Sequence, residues 1–122
     1  KILEVQNIDD NLKIIIQTDT AQFLDYINSK NLNIIVIKEN ITSYTDRGIH
    51  NEQAKSENYE HMLNLFSTFL IMSRCKYIIC NSGNCSLWMM HYRNDTHNVI
   101  QYLNGTWFYG ENGLSTSVTR TV

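Results

Sequence analysis

The stretch Tyr77-Ile78-Ile79-Cys80-Asn81-Ser82-Gly83-Asn84-Cys85-Ser86-Leu87-Trp88 constrains this chain more than any other. A short apolar run passes into small polar residues and then into a helical pattern. Lys76 to Cys80 is β-prone and does not alternate, so it reads as a strand covered on both faces. Asn81, Ser82, Gly83 and Asn84 break that strand with helix-capping groups and a permissive glycine. Ser86 to Arg93 continues as a helix, with Leu87, Met90 and His91 expected to face inward. In an open α/β sheet such a junction lies at the carboxyl end of a strand, where ligands bind. N–H groups at a helix start also favour a phosphate or another anion. A plain βα turn with an N-cap has the same pattern, so the spacing leaves both readings open.

Two further apolar runs repeat the theme. Lys13-Ile14-Ile15-Ile16-Gln17 is a β-branched strand, and Thr18 or Asp19 can cap the helix after it. That helix, Ala21 to Ser29, carries Phe23, Tyr26 and Ile27 at helical spacing. Ile34-Ile35-Val36-Ile37 is the second strand, which predicts a parallel βαβ unit with a right-handed crossover. Lys38 to Lys55 is polar and aperiodic, and connections of this length are often functional. Ser56 to Ser73 predicts a long amphipathic helix with Tyr59, Met62, Leu63, Phe66, Phe69 and Leu70 in its inward stripe. A last strand is expected from Asn98 to Leu103. Lys1 to Leu12 is ambiguous between a frayed strand and the end of another element.

With 122 residues, 43% of them hydrophobic, the chain can build one core. The division expected is one domain over 1–110 and a poorly ordered tail over 111–122. The net charge of -2 offers no basic field, so nucleic acid is not an expected partner. No apolar run is long enough to span a bilayer. The chain begins with Lys1 rather than Met, which predicts a piece of a longer protein. Cys75, Cys80 and Cys85 have a C-x4-C-x4-C spacing that suits neither a zinc knuckle nor a thioredoxin motif. They read as buried free thiols, which favours a reducing compartment. Sequons at Asn40, Asn84, Asn94 and Asn104 are set against an asparagine-rich background and carry no weight here.

His50, His61, His91 and His97 show no metal-ligand spacing, and no metal is expected. Neither a Walker A, a GxGxxG nor a GxSxG pattern is present. What remains is polar chemistry at strand ends: Thr18, Asp19 and Thr20 after the first, Arg47 to His50 after the second, and Asn81 to Asn84 after the third. Converging at one sheet edge, these make a site. Asp19 serves equally well as a helix cap, and His50 as an ordinary loop histidine.

Three features stand together in one order: the strand ending in Thr18-Asp19, the Gly48-Ile49-His50-Asn51 loop, and Met72-Ser73-Arg74-Cys75-Lys76 leading through Asn81-Ser82-Gly83-Asn84-Cys85-Ser86 to Trp88. The set resembles the nucleotide-sugar-binding half of the fucosyltransferase superfamily, over roughly Lys13 to Arg93. The resemblance implies a Rossmann-like parallel sheet with flanking helices, the C-terminal half of a GT-B fold. It implies transfer of a sugar, such as fucose, from a nucleotide-sugar donor such as GDP-fucose to a glycan or protein acceptor, without a metal. By the same carry-over Asn81, Ser82, Gly83 and Asn84 lie against the donor pyrophosphate, with Thr20 and Ser86 beside the donor. Asp19 would line the nucleotide pocket and His50 would approach the donor. Two departures accompany it. The family's basic motif, a His or Arg followed by Arg, is absent, and Thr68 stands where the family tends to carry an acid that recognises guanine. The donor nucleotide is therefore open, and a Rossmann-like binding domain without catalysis is the alternative. In a full domain of this type the basic motif closes the central strand, between Lys13–Gln17 and Lys76–Cys80. Without it the sheet has either a gap or a flavodoxin-like order of 2-1-3-4.

Overall fold

The computed structural model describes residues 1–39 and 58–110. His50, most of the Lys38–Lys55 connection and the tail expected over 111–122 lie outside the described residues. The class is α/β, with strands and helices alternating from Ile14 to Leu103 among the described residues. The chain divides into two compact units, one of Asn11–Thr68 and the other of Lys1–Asp10 with the chain from Phe69 onward.

In the first unit β1 (Ile14–Ile16), α2 (Ala21–Asn28) and β2 (Ile34–Val36) form the expected unit of parallel strands joined through a helix. Ile14, Ile15 and Ile16 lie opposite Ile34, Ile35 and Val36. The Ile37 N–H donates to the Ile16 carbonyl at 3.0 Å and extends the ladder by one residue. Both strands are shorter than their apolar runs. Thr20 is the N-cap of α2, in place of Thr18 or Asp19, and no side chain caps the helix. Thr18 instead accepts the Thr20 N–H at 3.1 Å in a local turn. The buried side of α2 runs through Leu24 and Ile27, whereas Phe23 and Tyr26 are exposed. Tyr26 has a solvent-side role, with the Lys30 ammonium 4.6 Å from its ring centre.

α3 (Asn58–Ser73) has its residues divided between the two units at Thr68 and Phe69. Its buried side differs from the expected stripe. Thr68, Phe69 and Ser73 are buried, with Leu65 and Met72 half-buried beside them. Tyr59, at 82% exposure, and Met62, Leu63 and Leu70 face outward. Apolar residues surround this helix on nearly every side, so periodicity alone does not select a face. Thr68 fits its buried place because its hydroxyl donates to the Asn64 carbonyl one turn back, at 2.8 Å.

The second unit opens with a short helix the sequence did not reveal, α1 (Ile2–Gln6), whose Val5 is buried. Its sheet has the order β3-β4-β5, and that of the first unit is β1-β2. β3 (Ile78–Asn81) runs parallel to β4 (Val99–Leu103), and β4 pairs antiparallel with β5 (Thr106–Tyr109). The hairpin between β4 and β5 turns on Asn104 and Gly105, both at positive φ (47° and 83°), as a two-residue type I′ turn requires. Ile78 and Val99 form the core, with Cys80, Met90 and Phe108 packed against them. α4 (Asn84–Arg93) starts two residues earlier than expected and ends on Asn94, whose left-handed φ of 62° caps it. Its buried side is Ser86 and Met89; of the expected inward set Met90 packs against the core, while Leu87 and His91 are exposed.

Candidate functional site at the start of α4

Because Asn81 ends β3 and α4 begins at Asn84, the polar loop shrinks to Ser82 and Gly83. Gly83 is the N-cap with an extended φ of 179°, and no side chain caps the helix. The first-turn N–H groups therefore point along the axis toward the loop, carrying the positive end of the helix dipole. Gly83 is not held by backbone conformation, since a Cβ there would meet nothing within 4 Å.

Each residue of the loop has a defined partner or direction. The Ser82 N–H donates to the Tyr102 carbonyl at 2.8 Å, which continues the β3–β4 ladder. Ser82 is half-buried and can offer a ligand its hydroxyl, not its amide. Ser86 is 1% exposed and its hydroxyl donates to the Asn81 carbonyl. It ties the helix to the strand from beneath. Asn84 is exposed and lies at one end of a shallow groove of 370 Å³ that continues along Leu87, Trp88 and His91. These four residues fall at i, i+3, i+4 and i+7, one face of α4.

Gln101 is the residue that sequence reasoning passed over. It sits in the middle of β4, opposite Cys80 on one side and Phe108 on the other. It is 0% exposed. Its Nε2 donates to the Ser82 Oγ at 3.2 Å, while its Oε1 is buried without a hydrogen-bond partner. The signal was legible, since Gln101 is the long polar residue inside the apolar run Val99-Ile100-Gln101-Tyr102-Leu103.

Asp19 and Thr20 belong to the Asn11–Thr68 unit, and Asn81, Ser82, Gly83, Asn84 and Ser86 to the other. Within its own unit Asp19 is exposed, and its carboxylate accepts the Thr20 hydroxyl at 3.1 Å.

The thiols differ in setting. Burial pushes Cys80 up from its ordinary value, opposed by the neighbouring Ser86 hydroxyl. Burial also pushes Cys75 up, opposed by the charge of Arg93. Cys85 is exposed. Among the described residues, no group of three His, Cys, Asp or Glu side chains is placed to hold a metal ion, and no helix is long and apolar enough to cross a membrane. Comparison with protein-family models, with curated proteins and with solved structures gives no match to this chain.

Proposed function

We propose that this chain is the donor-binding portion of a glycosyltransferase resembling the fucosyltransferases, with a Rossmann-like origin for its strands and helices. The observation that carries the reading is the start of α4. An uncapped helix N-terminus, the Ser82 hydroxyl and the extended Gly83 backbone meet at the carboxyl end of a parallel strand. That arrangement suits the diphosphate of a nucleotide sugar, since oriented N–H and O–H donors stabilise charge developing on the leaving group. The groove beyond Asn84 offers an aromatic and an imidazole surface to the part of the donor attached to the diphosphate. The roles of Asp19, Thr20 and His50 rest on the sequence resemblance alone. Transfer proceeds without a metal in this reading, and the acceptor is a glycan or a protein.

A second reading is binding without turnover, which absence of an arginine pair from the full-length protein would support. A thermal-shift panel of GDP, UDP, ADP and CMP with their sugar conjugates tests both. Stabilisation by GDP and GDP-fucose supports the fucosyltransferase reading. Stabilisation by a different nucleotide sugar keeps the glycosyltransferase and changes the donor. Binding without release of nucleotide in the presence of candidate acceptors supports the second reading. Indifference of the folded protein to the entire panel contradicts both.

A further inference from the structure

We propose that the segment Lys1–Asp10 is a detachable strap on the sheet β3-β4-β5, tied near its two ends by lysine ammonium groups and able to leave while the sheet stays folded.

The ties reach the two outer strands. The Lys1 ammonium donates to the Glu4 carboxylate at 2.7 Å and to the Tyr109 hydroxyl at 2.9 Å. The second bond joins α1 to β5 across 108 residues of chain. The ammonium lies 5.5 Å from the centre of the Tyr109 ring, so it sits beyond the hydroxyl at the ring edge and not over the face. At the other end the Lys76 ammonium meets the Asp9 carboxylate at 3.0 Å, just ahead of β3. Because β4 lies between β3 and β5, the strap runs from one edge of the sheet to the other. Trp107 and Tyr109 alternate along β5 with Phe108, which packs on the core as Met90 of α4 does. Lys1 therefore meets the side of the sheet opposite α4.

Little besides these ties holds the segment down. Val5 is its one buried residue, whereas Leu3 and Ile8 are 63% and 69% exposed. A helix of five residues is far below the roughly 12–15 at which helices begin to stand alone. The ties themselves are open to water, with the Glu4 side chain 62% exposed and that of Lys76 58%. Ion pairs in such settings are weak and screened by salt. The sheet is held differently, since Ile78, Val99, Ile100 and Gln101 are all buried. A segment with one buried contact opens at lower free energy than a strand of that kind. Its departure opens the side of the sheet that carries Tyr102, Trp107 and Tyr109, with Ile100 opposite Tyr109 in the register.

The test is amide hydrogen exchange followed by NMR on the full 122-residue chain. The Val5, Asn7 and Ile8 N–H groups bond within the segment to Lys1, Leu3 and Val5 carbonyls, each at 3.0 Å, and report on it. Their protection factors are expected to be at least about tenfold below those of Ile100 and Gln101. Tyr109→Phe and Lys76→Met each remove one tie, and each should lower protection of the segment about threefold with Ile100 and Gln101 unchanged. Together they should lower it about tenfold. Equal protection of segment and sheet in the wild-type protein overturns the proposal, because the two then open only together. Protection of the segment that neither substitution alters overturns it as well, because the ties then do not hold it. Should a variant fail to fold, the wild-type response to about 1 M NaCl decides, since salt screens the pair of Lys76 and Asp9. A fall in protection confined to Val5, Asn7 and Ile8 supports the strap, and an unchanged set contradicts it.

Discussion

The hydroxyl of Ser86 donates to the main-chain carbonyl of Asn81, so the first turn of α4 is bonded directly to the last residue of β3. Strand and helix are thereby tied to each other across the two-residue loop. Ser86→Ala removes the donor and leaves a void at a site of 1% exposure. The expected cost is about 1–2 kcal/mol in urea unfolding. Unchanged stability would show that the strand and helix hold their junction without it.

Arg93 fastens the other end of α4. Its guanidinium donates to the carbonyls of Ser73 (3.2 Å), Cys75 and Lys76 (3.3 Å), and its Nε donates to Asp95 at 2.9 Å. The Arg93 side chain itself is 13% exposed. Arg93→Met is expected to cost about 2–3 kcal/mol, and Arg93→Lys to recover little of it, because an ammonium lacks the planar fork that reaches several acceptors. Full recovery by lysine would mean that charge, not geometry, is what matters there.

Two glycines should respond in opposite ways. A Cβ on Gly110 would overlap the Thr96 carbonyl, against which the end of β5 is held by the Thr96 hydroxyl at 3.2 Å. Gly110→Ala is expected to destabilise by about 1–3 kcal/mol. Gly83→Ala has open space and an extended φ, so its effect should remain within about 1 kcal/mol. Equal losses at both positions would contradict the geometry at one of them.

Alkaline pH should weaken the fold through its thiols. Cys80 and Cys75 are both raised from an ordinary value of 9.0, chiefly by burial. Below that value folded and unfolded chains both carry neutral thiols, and these groups add no pH dependence. Above it the unfolded chain loses thiol protons that the folded chain retains, so stability falls as pH rises. The Cys75→Ala/Cys80→Ala protein should lose less stability than wild type between about pH 8 and about pH 10. Parallel declines in the two proteins would assign the alkaline loss to other groups.

Much of the local structure is legible in the residues, and the failures share a cause. The runs at Ile14–Ile16, Ile34–Val36 and Ile78–Asn81 declare themselves because β-branched residues cluster between polar breaks. Their parallel pairing across α2 follows from the same pattern. Asn104-Gly105 carries a hairpin signal, and the strand Thr106–Tyr109 that it leads into is the element left out of the sequence expectation. The inward faces of α2, α3 and α4 were misread where apolar residues surround the helix or aromatics lie against solvent. Tyr26 under Lys30 and the outward Tyr59 are examples. Division into two sheets depends on pairings between distant strands, which no local pattern encodes. At the candidate site the loop residues were visible, whereas Gln101 is defined by a contact across 19 residues with Ser82.

The central claim is that the start of α4 receives the diphosphate of a nucleotide sugar. The most direct measurement is a titration of the 15N-labelled full chain with GDP, UDP and inorganic pyrophosphate, followed by amide NMR. The account predicts saturable shifts at Gly83, Asn84 and Ser86 that pyrophosphate and at least one nucleoside diphosphate share, with further shifts at Trp88 and His91 for the nucleotide alone. A folded protein whose Gly83–Ser86 amides stay unmoved at saturating concentrations of all three would contradict it.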